Sequence, residues 1–275
     1  MPYLETEPGV MIHWEEAGAG RPVVFVHGWS MSSCSFAWQM EAPAPSHRAI
    51  AYDLRGHGRS PCEKPAPEEG HAIEDHARDL STLIERLDLS DAALVGWSMG
   101  GQVALEALPG VQDRLAALVL ISTTPRFTAG GDWPHGLTEV SVRALAARLE
   151  RKPQKTLHRF FEGMFVAGEL HETQLADIER HVLAGAPPVS VAAARTGLEA
   201  LLASDQRRRL REVRVPTLLV HGERDPTCLP AASAFAEAHI PGARRWVLPG
   251  LGHAPHLSRP ALVNELLARF LAELS

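Results

Sequence analysis

A serine with glycines two positions to either side, Gly96-Trp97-Ser98-Met99-Gly100, stands where an apolar β-branched run ends and a helical pattern begins. So sharp a strand-to-helix turn strains the serine backbone, and small flanking residues let the two elements approach each other. A serine hydroxyl is a weak nucleophile at neutral pH, so this reading requires a base and an acid that orients it. Asp225, in His221-Gly-Glu-Arg-Asp225, and His253, in Gly250-Leu-Gly-His253, each follow a strand-like run and complete the chain order Ser, Asp, His. His256 is the second candidate for the base and Glu223 for the acid; His253 is preferred because it sits among turn glycines just past a strand end. Acyl transfer also needs donors for its oxyanion, usually two backbone N–H groups. Those of Trp29, in His27-Gly28-Trp29, and of Met99 are the natural pair.

The elements that must hold these groups follow from periodicity. Strand-like runs cover residues 10–16, 22–27, 47–53, 92–96, 115–121, 215–221 and 243–248, and helical spacing covers 74–87, 98–108, 231–238 and 260–274. Strand and helix patterns alternate through residue 122 as a parallel sheet with covering helices requires. The rhythm then breaks: residues 123–205 hold no strand-like run and read as a mostly helical lid, inserted after the sixth strand into a core made of 1–122 and 206–275. The expected fold class is therefore α/β, a mostly parallel central sheet flanked by helices.

Composition sets the outer limits. The 275 residues include 27 Lys plus Arg against 33 Asp plus Glu, a formal charge of −6, which argues against nucleic acid or an anionic membrane as partner. Cys34, Cys62 and Cys228 are an odd number without metal-like pairing and read as reduced thiols. With no apolar leader and no run near the roughly 20 residues that span a bilayer, a cytoplasmic monomer is expected. No phosphate-cradling or dinucleotide-binding loop occurs, since Gly56-His-Gly58 lacks a third glycine, so neither cofactor nor metal is expected. The remaining histidines, including His71 and His76, are expected at the surface. One local excess stands out: residues 143–159 carry Arg143, Arg148, Arg151, Lys152, Lys155 and Arg159 against the single acid Glu150, a balance of +5. It reads either as a solvated helix face or as a landing surface for an acidic partner. The cluster Arg207, Arg208, Arg209, Arg211 and Arg214 is expected at the hinge where the lid rejoins the core.

Taken together, His27-Gly28-Trp29, Asp53-Leu-Arg-Gly-His-Gly-Arg-Ser60, Gly96-Trp-Ser-Met-Gly-Gly101, the Asp225 turn and the Gly252-His253 loop make the chain resemble an α/β-hydrolase over nearly its whole length. A narrower resemblance, to the pimeloyl-carrier-protein methyl ester esterases of biotin synthesis, rests on Trp29, Trp97, Ser122-Thr-Thr-Pro-Arg-Phe127, Asp132-Trp-Pro134 and Arg159-Phe160-Phe161. That resemblance implies hydrolysis of the methyl ester of a seven-carbon diacid carried on acyl carrier protein. It implies that Trp29, Trp97, Ser98 and Met99 border the acyl group, that Phe160, Phe161, Glu162, Gly163 and Met164 line its path, and that His253 faces the ester. Glu162 and Gly163 interrupt an otherwise apolar stretch. Carrier docking would fall to Arg143, Arg148, Lys152, Lys155 and Arg159. The same machinery also serves general carboxylesterases on free small esters, carbon–carbon bond hydrolases and cofactor-free perhydrolases, and a non-catalytic receptor can share the fold. A serine rather than an aspartate at position 98 argues against dehalogenase or epoxide hydrolase chemistry.

Overall fold

The computed structural model describes residues 3–42, 47–61 and 70–274, so Cys62, expected to be a reduced thiol, lies outside the described residues. Eight strands form one sheet: β1 (Tyr3–Glu7), β2 (Val10–Ala17), β3 (Arg21–Val26), β4 (His47–Tyr52), β5 (Ala92–Trp97), β6 (Leu115–Ile121), β7 (Thr217–Gly222) and β8 (Arg244–Leu248). Their spatial order is β1-β2-β4-β3-β5-β6-β7-β8. From β4 to β8 the pairs are parallel, while β1 and β2 join as an antiparallel extension. Every residue of β5 and β7 is buried, as expected for strands covered on both faces.

Alternation along the strands divides the core. Val24, Val26, Ile50, Tyr52, Leu94 and Leu118 face one layer, and Val23, Phe25, Ala49, Ala51, Val95 and Val119 face the other. The helices are α1 (Ala37–Glu41), α2 (Ile73–Arg86), α3 (Met99–Val111), α4 (Glu139–Arg151), α5 (Pro153–Glu162), α6 (Glu172–Ile178), α7 (Val191–Ala203), α8 (Pro230–His239), α9 (Pro255–Ser258) and α10 (Pro260–Ala272). Helices α2 and α3 cover the first face, and α10 covers the second with Val263, Leu266, Leu267 and Phe270. Among the described residues no helix is long and apolar enough to cross a membrane.

Between β6 and β7 the chain forms α4 to α7 and a π-helical turn, Glu179–Leu183. The two ends of this segment meet, because the Gln206 N–H donates to the Pro125 carbonyl at 2.7 Å and the Ser204 hydroxyl donates to Gln102 Oε1 at 2.6 Å. Nearby Arg207 pairs with Asp205 and Asp132, and Arg209 with Glu106. The expectation of surface positions for His71 and His76 is wrong. His76 falls on the same stripe of α2 as Ile73, Ala77 and Leu80, so it turns inward with them, and His71 packs against Gly56. Both are buried, and the rings of His27, His57, His76 and His71 contact one another in series.

Candidate active site

Ser98 occupies the turn between β5 and α3 with φ 55° and ψ −119°, a left-handed conformation costing about 1–3 kcal/mol for a non-glycine residue. The glycines around it are dictated by contact. A Cβ on Gly100 would lie 2.1 Å from the Val26 carbonyl oxygen, and one on Gly96 would lie 2.6 Å from that of Gly100. The elbow thus wedges α3 against β3 and leaves Ser98 half-exposed amid buried neighbours.

The loops after β7 and β8 bring Asp225 and His253 to this serine. His253 Nε2 lies 3.0 Å from Ser98 Oγ, and His253 Nδ1 lies 2.9 Å from Asp225 Oδ2. The carboxylate can only accept, so the ring proton sits on Nδ1 and the Nε2 lone pair faces the hydroxyl, which is the tautomer a general base requires. Asp225 is itself held firmly: its Oδ1 accepts the N–H groups of Thr227 at 2.8 Å and Cys228 at 2.9 Å. Burial opposes its charge, yet the His253 and His221 rings beside it hold the carboxyl well below the usual carboxylate range.

Two neighbours of the site were not read from the sequence. His221 Nε2 lies 2.7 Å from the Cys228 carbonyl oxygen and 3.2 Å from Asp225 Oδ2; since both are acceptors, its proton is on Nε2, donated to the Cys228 carbonyl with the carboxylate alongside. Its four-residue spacing from Asp225 was the available signal, but only the loop's curl brings the two together. Cys228, equally buried, lies in the same loop as Asp225, and burial pushes its thiol well above its usual range, so it is a neutral neighbour.

The oxyanion donors expected at Trp29 and Met99 are also oriented by structure. Met99 opens α3, so its N–H has no acceptor within the helix. The Leu54 N–H donates to His27 Nε2 at 2.9 Å, which leaves the His27 proton on Nδ1 to donate to the Gly28 carbonyl at 2.8 Å. Because a trans peptide points its C=O and N–H in opposite directions, fixing that carbonyl also fixes the Trp29 N–H, which binds no acceptor among the described residues. The Trp29 indole donates to the Ala194 carbonyl at 2.8 Å, and Phe160 packs edge-on against it at 4.7 Å.

The second candidates lie elsewhere. His256 is fully buried against Trp97 and Phe36, and burial next to His253 lowers its pKa to about 3, too weak a base at neutral pH. Glu223 is exposed and accepts the Gly250 N–H at 2.9 Å, bracing the loop rather than meeting an imidazole. Trp97 is fully buried, and its indole N–H donates to the His253 carbonyl at 3.0 Å.

A cleft of about 840 Å³ runs from Phe127, Leu137 and Val142 past Phe160 and Gly163 to Pro226 and Thr227, beside Asp225. Phe161 and Met164 do not line it: helical spacing turns Phe161 into the core, where Met164 joins it, while exposed Glu162 faces His158. Arg148, Arg151, Lys152, Lys155 and Arg159 form the polar wall of this cleft, and among the described residues none pairs with a carboxylate. Arg143 stands outside the cleft and is bound to Glu139.

Residues 23–266 match the alpha/beta hydrolase family. The pimeloyl-[acyl-carrier protein] methyl ester esterase of Nitrosomonas europaea is 33% identical over 249 residues, 90% of this chain and 95% of that protein. The protein of the same description from Nitrosospira multiformis is 32% identical, covering 95% of this chain and 98% of its own. Among solved structures, an esterase from Exiguobacterium antarcticum superposes with a TM-score of 0.90 at 28% identity, covering 98% of each chain. On fold, motif and relatives alike, the chain belongs to the alpha/beta hydrolase family and is a carboxylic ester hydrolase.

Proposed function

We propose that the protein hydrolyses the methyl ester of a pimeloyl group carried on acyl carrier protein, releasing methanol, with residues 123–205 acting as a lid over the site. Ser98 Oγ attacks the ester carbonyl carbon as His253 Nε2 takes its proton. The N–H groups of Trp29 and Met99 receive the oxyanion. Collapse breaks the bond to the methoxy oxygen, which leaves as methanol with the proton from His253. Water, deprotonated by the same nitrogen, then attacks the acyl-enzyme and regenerates Ser98. Asp225 holds the imidazole in line and offsets its positive charge.

The observation that carries the substrate assignment is the wall of five cations, without carboxylate partners among the described residues, along a cleft ending beside Asp225, in a chain of net charge −6. Such a concentration of one sign steers an acidic macromolecule and loses effect with salt, being screened over about 8 Å at physiological ionic strength. The free thiols Cys34 and Cys228 accord with a cytoplasmic setting. A second reading, a general carboxylesterase acting on free small esters, is favoured by the likeness to the Exiguobacterium esterase structure.

The deciding experiment compares kcat/KM for the methyl ester on carrier protein with that for the same ester on a pantetheine thiol, with Ser98→Ala as the blank. A carrier preference that falls when Lys155 and Arg159 are neutralised supports the proposal. Equal rates on both substrates, or faster turnover of short free esters, assign the general esterase instead. Absence of fluorophosphonate labelling at Ser98 would refute the nucleophile itself.

A further inference from the structure

The loop that presents His253 is held from a side that the reaction scheme does not use. The His253 N–H donates to the Met164 carbonyl at 2.7 Å, and the Gly252 N–H donates to Glu169 Oε2 at 2.9 Å. The same Oε2 accepts the Val166 N–H at 2.9 Å, while Arg259 Nη2 donates to the Glu169 carbonyl at 2.9 Å. Contact is close enough that a Cβ on Gly252 would lie 2.3 Å from the Met164 carbonyl oxygen and 3.0 Å from Glu169 Oε2. Glu169 is only 4% exposed, and its other oxygen, Oε1, has no hydrogen-bond partner among the described residues.

A buried carboxylate with half its acceptor capacity empty is a net expense unless its location serves something. Its location is the joint between two chain segments more than 80 residues apart: the stretch after α5, and the turn that ends in the imidazole. From the opposite side the loop is held by the Trp97 indole on the His253 carbonyl and by Asp225 on the ring. Removing Glu169 leaves the Gly252 N–H buried without an acceptor and frees the backbone one residue before the base. Phe160 and Gly163, which line the cleft, belong to the same stretch of chain as Met164 and Glu169. Whatever fills the cleft therefore bears on the segment that seats His253.

We infer that Glu169 is a positioning residue: it ties the His253 loop to the turn that follows α5 beside the cleft and keeps Nε2 in line with Ser98 Oγ. This rests on the reading of Ser98 and His253 as nucleophile and base. It deepens that reading by making the base's alignment depend on the segment that meets the substrate. The role belongs to the reach of an acceptor oxygen rather than to the negative charge. Gln, whose amide oxygen can accept the same two N–H groups, should preserve it; Asp, charged but one methylene shorter, should not.

The test uses the full chain, p-nitrophenyl butyrate as probe, and amide hydrogen exchange over residues 249–254. Because a misplacement near 1 Å costs about 100-fold, Glu169→Ala should lower kcat by about 10- to 100-fold with KM changed less than about twofold. The Gly252 and His253 amides should exchange faster in that variant. Glu169→Gln should restore both readouts, and Glu169→Asp should restore neither; this pair decides the matter if the alanine variant does not fold. Unchanged kcat and unchanged amide protection in Glu169→Ala would overturn the inference, as would rescue by Asp but not by Gln. A wild-type protein that neither turns over the ester nor takes a fluorophosphonate label would refute the nucleophile reading, while the exchange measurement would still decide whether Glu169 holds the loop.

Discussion

Acidification should destabilise this protein well above the pH at which carboxylates titrate. His57 and His256 are fully buried, and burial lowers each to about 3, whereas in the unfolded chain each titrates near the ordinary imidazole value of 6.5. Between those values the unfolded state binds protons that the folded state refuses, so stability is fully present above about pH 6.5 and is lost as pH falls. At about 1.4 kcal/mol per pH unit, going from pH 7.5 to 5 costs about 2 kcal/mol per ring, or about 4 kcal/mol for the two. His27 and His76 are lowered for the same reason, burial, and add to the loss. Asp225, whose carboxyl is held low, loses its contribution only near pH 4 and below, outside this window. Against a domain stability of about 5–15 kcal/mol the effect is large, and urea unfolding should show a midpoint lower by about 1 M or more at pH 5 than at pH 7.5. His256→Phe should keep the ring contacts to Trp97 at 4.5 Å and Phe36 at 5.1 Å while removing one titration. Its acid loss should therefore be smaller by about 2 kcal/mol. A midpoint independent of pH between 7.5 and 5, or a His256→Phe variant with the full pH dependence, would refute the reasoning.

Asp225→Asn should cut kcat for ester hydrolysis by about 10⁴-fold while the fold persists, because an amide can turn its NH₂ toward Nδ1 and impose the wrong tautomer on His253. Steady-state kinetics and a circular dichroism melt check the two halves of that statement. Gly100→Ala should cost about 3 kcal/mol or more, because its Cβ would fall 2.1 Å from the Val26 carbonyl oxygen. Thermal melting measures this, and an unchanged Tm would mean that the elbow can relax in a way the packing denies.

Local chemistry made the elbow legible. Gly96, Ser98 and Gly100 are adjacent in sequence, and the reason for each glycine is a contact within one strand-to-helix turn. The strand that delivers Asp225 was legible because Leu218, Leu219 and Val220 form a run that must be buried on both sides. Short elements such as β1 and α1 were missed: five residues carry too little periodicity to distinguish strand from coil or helix from turn.

Within residues 160–164 the sequence could not say which side chain faces the cleft, because that depends on how α5 is rotated against the sheet. Phe160 meets Trp29, and Phe161 goes to the core. His71 and His76 misled for a related reason. An imidazole is polar enough to suggest solvent, but the stripe of α2 that holds Ile73 and Leu80 carries His76 inward, and apolar packing outweighed its hydration. The sequence by itself determined the candidate residues Ser98, Asp225 and His253 and the sheet that supports them, since both follow from residue type and short-range spacing. Only the tertiary structure decided how the candidate site is held: His221 beside Asp225, His27 behind the Trp29 peptide, and Glu169 beneath Gly252 are contacts that no local periodicity predicts.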